Sequence, residues 1–235
     1  MSALLAAKSL SLPGRLNQTD FAIGGGSLVC LVGPNGSGKT SLLHALAGIG
    51  APGGTVTIDG VDRQAAAPGE RRRLLSYLPA SREAAWPVTV RDLMRLGLPA
   101  GGDASEGEWA LDALELQDFA DRRIDRLSTG ERSRALIARA LAPKPRLLML
   151  DEPVANLDPL WQLKLMELLK KAAAAGQAVL LALHDLDLAP RYADRLIIMD
   201  DGRLAADGVP KDVMAGGAIR TVFGIEKSEA GWRPV

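Results

Sequence analysis

Apolar and polar positions follow two different periods along this chain. Short apolar runs bounded by Gly, Pro or Asp, such as "SLVCLVGP", "RLLMLDEP" and "AVLLALHD", have the length of strands buried on both faces. Between them lie longer stretches at helical spacing, among them "TSLLHALAGIG", closed by Gly48, and "PLWQLKLMELLKKAAAAGQ", closed by Gly176. The alternation predicts an α/β fold: a mostly parallel sheet with crossover helices. "GTVTIDGVD" alternates with period two about Asp59-Gly60 and predicts a small antiparallel β part near the N-terminus. "RLIIMDDGRLAADG" sets an Asp201-Gly202 turn between two strand-like halves. From Ala80 to Arg126 the apolar residues fall at helical spacing, and Thr89 with Asp92 and Ser105 with Glu108 carry cap signals. The expected organisation is a single domain over 1–235, with a core of 1–79 and 127–235 and an inserted helical subdomain over 80–126.

Composition narrows the partners. The 235 residues are 47% apolar, enough for a substantial core. Lys plus Arg (28) equals Asp plus Glu (28), so no basic face for nucleic acid or an anionic membrane is expected from composition. Attachment to a membrane would come through a protein partner. The single cysteine, Cys30, sits inside an apolar run and reads as a buried strand residue. "MSALLAAKSLSL" does not read as a signal peptide, and no run approaches the ~18 apolar residues of a spanning helix.

The chemistry starts at "GPNGSGKT". Gly33, Gly38, Lys39 and Thr40 complete G-x-x-x-x-G-K-[ST] between an apolar strand and a helix, the setting its mechanism requires. Pro34, Asn35, Gly36 and Ser37 form the body of this phosphate loop and Ser41 follows it, so the core is expected to be a P-loop NTPase. Glycines let backbone N–H groups turn inward to phosphate oxygens, and the helix N-terminus adds partial positive charge. Lys39 would neutralise the β and γ phosphates, and the Thr40 hydroxyl would ligate Mg2+. "LLMLDEP" supplies Asp151 at a strand end as the second metal-side group. Strand alternation turns Glu152 the other way, toward an attacking water, which makes it the candidate general base.

In order, "GPNGSGKT", "LSTGE", "LLMLDEP", "ANLD" and "ALHD" resemble the nucleotide-binding subunits of ATP-binding cassette transporters, over nearly the whole chain. Alone, "LSTGE" reads as a helix cap on Ser128. The resemblance implies that two copies lie head to tail, so that Ser128 and Gly130 of one serve the ATP bound by Lys39 of the other. It also implies that His184 contacts the γ phosphate and that Asp158 reaches the opposite subunit, although Asp158 by itself is an ordinary N-cap. The later text is most similar to the ATPase subunits of importers for siderophores, haem and cobalamin. Such a chain would sit peripherally on the cytoplasmic face of the inner membrane, on permease subunits, with a substrate-binding protein as indirect partner.

Several positions depart from the family. The glutamine expected after "YLP" is Ala80, which cannot ligate a metal; a water, Ser81 or Glu83 would take its place. Gly14 stands near the expected adenine-stacking aromatic, and the planar guanidinium of Arg15 is the alternative. Thr129 and Glu131 replace the commoner glycine and glutamine. These departures motivate a second reading, a regulatory cassette that binds nucleotide and turns it over weakly, against which Glu152 stands. The long coiled-coil insertion of DNA-repair cassettes and the second domain of translation-associated ones are both missing from the text.

Overall fold

The computed structural model describes residues 3–81, 87–99, 101–228 and 231–235. In chain order the strands and helices begin with β1 (Ala3–Leu12), β2 (Leu16–Gly24), β3 (Leu28–Val32), α1 (Lys39–Ala47), β4 (Gly53–Ile58), β5 (Val61–Asp62), α2 (Pro68–Leu74) and β6 (Leu75–Leu78). Then come α3 (Val90–Gly97), α4 (Ala104–Ala113), α5 (Thr129–Leu141), β7 (Leu147–Asp151), α6 (Pro159–Ala174), β8 (Ala178–Ala182) and α7 (Leu188–Tyr192). The chain closes with β9 (Arg195–Asp200), β10 (Arg203–Gly208), α8 (Pro210–Ala215), α9 (Ala218–Phe223), β11 (Ile225–Ser228) and β12 (Gly231–Pro234).

The continuous apolar runs become the centre of a six-stranded sheet of order β10-β9-β3-β8-β7-β6. Only β10 runs antiparallel, through the Asp201-Gly202 hairpin. Every residue of β3, β7 and β8 is buried, because both faces are covered. Alternate residues divide between two cores. Leu28, Cys30, Leu148, Leu150, Val179 and Leu181 face the helical layer, whereas Val29, Leu31, Leu147, Met149, Leu180 and Ala182 face α1 and the antiparallel sheet. Each fully buried Leu or Val contributes roughly 1.5–3 kcal/mol. Burial raises the pKa of the Cys30 thiol, so it stays protonated and inert.

The antiparallel sheet is larger than "GTVTIDGVD" alone predicts. Its order is β2-β1-β4-β5, and β1 and β2 form a long hairpin at the start of the chain. The period-two signal of β1 is broken by register shifts around Ser9, whose φ is +52°. The Asp59-Gly60 turn has φ of +52° and +79°, the left-handed pair that a tight hairpin needs.

Between β6 and α5 the described elements are helical. Thr89 caps α3 by accepting from the Asp92 amide. The second cap differs from expectation: Asp103, not Ser105, caps α4, accepting from the Ser105 amide at 2.9 Å. Ser105 lies inside the helix, and Glu108 pairs with Arg91 instead. A carboxylate two residues upstream outcompetes the serine for the same first-turn amides. No described helix is long and apolar enough to cross a membrane.

Candidate functional site

β3, β8 and β7 are parallel neighbours, so their carboxyl ends bring three separated motifs to one edge of the sheet. β3 runs into the glycine loop and α1. A Cβ on Gly33 would lie 2.4 Å from Ser37 Oγ and 2.5 Å from the Met199 carbonyl, so only glycine fits there. Gly38 has φ of +101° and caps α1 without a side chain, so the cap residue offers the first-turn amides of α1 no acceptor. Lys39 is buried. Its Nζ donates to the Gly33 and Pro34 carbonyls at 2.7 and 3.1 Å, which holds the ammonium over the loop. Burial lowers its pKa, and the charges of Glu152 and Asp151 oppose that shift.

At the end of β7, Asp151 is fully buried, and its Oδ2 accepts from Thr40 Oγ1 at 2.7 Å. Its Oδ1 is buried without a hydrogen-bond partner among the described residues. An uncommitted carboxylate oxygen beside a loop hydroxyl offers the hard oxygen donors that Mg2+ takes from protein, so Thr40 and Asp151 fit it, with waters and phosphate left to complete its shell. Burial raises the Asp151 pKa, while the Thr40 bond opposes the rise. A raised native pKa means that the folded chain holds the proton more tightly than the unfolded one, so this group costs stability as pH rises through that value. Asp151→Asn is therefore expected to raise the melting temperature of the ligand-free chain at neutral pH, by about 2–4 °C per kcal/mol gained. The gain should shrink on acidification. A variant that melts below wild type at neutral pH would show that Asp151 is not a strained ion.

The chain leaves the strand at Glu152, whose φ is +50°, a left-handed conformation rare outside glycine. Its direction is set by this kink rather than by strand alternation alone. Glu152 Oε1 lies 2.5 Å from Nε2 of His184, which follows β8. Both line a cavity of about 160 Å³ with Asn35, Gly36, Lys39, Thr40 and Ser41.

The second loop is elsewhere. Ser128, Gly130, Leu157, Asp158 and Trp161 line a different cavity of about 180 Å³, which shares no lining residue with the first. Ser128 caps α5 in a full capping box: its Oγ accepts from the Glu131 amide, and Glu131 Oε2 accepts from the Ser128 amide at 2.8 Å. Those bonds hold the Glu131 carboxyl below the usual range. Asp158 caps α6, accepting from the Trp161 amide at 2.9 Å.

A family model described as "ABC transporter" matches residues 16–155. The chain belongs to the ABC transporter family. It is 40% identical over 232 residues to the hemin import ATP-binding protein HmuV of Rhizobium meliloti (strain 1021), covering 92% of this chain and 88% of that one. It is 36% identical over 217 residues to the cobalamin import ATP-binding protein BtuD of Halobacterium salinarum, covering 88% of this chain and 54% of that one. Among solved structures it is similar to the dimeric structure of a bacterial ABC transporter cassette, with a TM-score of 0.78 at 26% identity, covering 88% and 98% of the two chains.

Three features of this ABC chain were not legible in its motifs. The Asp201-Gly202 turn is bolted to the phosphate loop: the Gly202 amide donates to the Ser37 carbonyl, and Asn17 Nδ2 donates to the Asp201 carbonyl, both at 2.9 Å. Arg15, Asn17, Asp201 and Gly202 line a cavity of about 360 Å³ that also takes in Gly36 and Ser41 of the loop. Tyr77, on β6, has its hydroxyl buried beside Asp151, and burial with that carboxylate raises its pKa. Arg134 stacks at 4.1 Å over Trp161 and donates to the Leu114 carbonyl, joining α4, α5 and α6. Ala80 and Ser81 are exposed, and Glu83 lies outside the described residues.

Proposed function

We propose that two copies of this chain close head to tail around ATP and, on a membrane permease, drive import of a haem- or cobalamin-like metal chelate. As an ABC transporter chain it is an ATPase. The observation that carries the dimer is the separation of the two cavities: Lys39, Glu152 and His184 share one, and Ser128, Gly130 and Asp158 line the other. A signature loop that does not face its own phosphate loop is available to a second copy's nucleotide.

In this reading the loop from Gly33 to Ser41 wraps the phosphates, and Lys39 exchanges two carbonyls for phosphate oxygens. Thr40 and Asp151 would hold Mg2+, which when bound would neutralise phosphate charge. Glu152 takes the proton of the attacking water, and His184, in contact with it, orients toward the γ phosphate. Arg15 forms the wall on which adenine stacks, supported by its place in the adjoining cavity. The core spans 1–79 and 127–235, and the helical insertion spans 80–126. The names of the relatives favour an importer of haem- or cobalamin-like compounds. Permease subunits are the proposed direct partners, a substrate-binding protein the indirect one, and the cytoplasmic face of the inner membrane the proposed location. The convergence of Lys39, Asp151, Glu152 and His184 gives the weakly hydrolysing alternative no support.

Ser128→Arg tests the shared site. The larger cation would crowd the facing γ phosphate, so ATP turnover is expected to fall at least tenfold, with binding to the phosphate loop of the isolated chain unchanged. Equal turnover in mutant and wild type would remove the signature loop from the mechanism.

A further inference from the structure

Away from the nucleotide cleft, a cavity of about 390 Å³ opens between the end of α1, the β4–β5 hairpin and α2. Arg63, Arg71 and Arg72 line it, and among the described residues no carboxylate does. Arg63 is only 7% exposed, and its Nε has no hydrogen-bond partner among the described residues. Its Nη1 reaches the Ala45 carbonyl at a long 3.4 Å, so the C-terminus of α1 offers one weak acceptor. Asp62, the acid that precedes it in the chain, is exposed and accepts from the Gln64 amide at 2.7 Å. Burial lowers the Arg63 pKa, Asp62 opposes the shift and Arg71 adds to it.

A guanidinium withdrawn from water this far ordinarily has a carboxylate across from it. Here no carboxylate among the described residues lines the cavity, and two more arginines do. Arg71 is held in place by Nε to the Ala66 carbonyl at 2.9 Å and Nη2 to the Gln64 carbonyl at 2.8 Å. Arg72 Nη1 donates to the Leu98 carbonyl at 3.0 Å, past the end of α3. Each side chain is therefore ordered by some of its donors and keeps others spare. The remaining walls include Ile58, Leu74 and Leu75.

We propose that this cavity is a second oxyanion site, which takes a phosphate group. One carboxylate satisfies one guanidinium fork; three cations around a single cavity match the higher charge and the several acceptor oxygens of phosphate. The phosphate belongs either to a free ion or to an anionic lipid headgroup. Because Arg72 also holds Leu98, occupancy would be felt at the junction of α2 with the helical segment.

The test uses the full chain carrying Lys39→Ala, which removes phosphate binding at the nucleotide loop. Inorganic phosphate, titrated by calorimetry at constant ionic strength against chloride, is expected to bind saturably, and adding Arg71→Gln and Arg72→Gln should weaken it at least tenfold. Both arginines are exposed, so the fold should survive. On the unmutated chain, phosphate should protect Arg71 and Arg72 from phenylglyoxal, read by mass spectrometry. Sedimentation with phosphatidylglycerol but not phosphatidylcholine vesicles, lost in the arginine variant, would assign the phosphate to lipid. Phosphate binding that equals chloride, or that the arginine variant leaves unchanged, with no protection and no vesicle selectivity, overturns the proposal.

Discussion

Glu152→Gln is expected to lower ATP turnover by about 10²–10⁴-fold, the usual contribution of a positioned general base, while ATP affinity stays near wild type. The substitution keeps the shape of the side chain and an acceptor oxygen facing His184, so the contact between the two residues survives. What disappears is the carboxylate proposed to take the proton from water. Binding is spared because Lys39 and the glycine loop, not Glu152, hold the phosphates in the proposed mode. With hydrolysis stopped, ATP and Mg2+ should accumulate the closed pair of chains. A nucleotide shifts that equilibrium only by its differential affinity for the two states, and about 5.5 kcal/mol moves it from one part in a hundred to its reverse. Sedimentation in saturating ATP and Mg2+ reads this directly: a persistent monomer would reject the shared site, and unimpaired turnover would reject Glu152 as base.

Lys39→Ala should weaken ATP binding by about 10²–10³-fold, in the range for truncating one partner of a close charge pair. The ammonium is already buried over the loop, gripping the Gly33 and Pro34 carbonyls beside the proposed phosphate position. Its removal takes away the charge and leaves two carbonyls pointing into the space where phosphate would lie. The fold should persist, because burial already disfavours this ammonium and the alanine is a better helix former at the first position of α1. Fluorescent-nucleotide titration alongside a melting curve separates the outcomes. Near-wild-type affinity would place the nucleotide elsewhere.

Much of the core was legible because its signals are local. β3, β7 and β8 are apolar at every position since both sheet faces are covered. Gly48 and Gly202 sit at positive φ, where glycine is favoured. The β1–β2 hairpin was missed because irregular register around Ser9 breaks the alternation that announces a strand. Ser105 resembles a cap in the sequence because a glutamate follows three residues later, whereas in the fold Asp103 takes the cap by accepting from the Ser105 amide.

By itself the sequence determined the strand–loop–helix at Gly33 to Thr40, the acids ending β7 and the capping serine of α5, since each follows from residues within a few positions of one another. Tertiary structure alone decided that His184 lies against Glu152, that Asp151 keeps one oxygen without a partner, and that the Asp201-Gly202 turn braces the phosphate loop. It also decided that Ser128 and Lys39 open onto separate cavities. Those facts depend on which strands become neighbours, and parallel pairing joins segments far apart in the chain through contacts that no local pattern encodes.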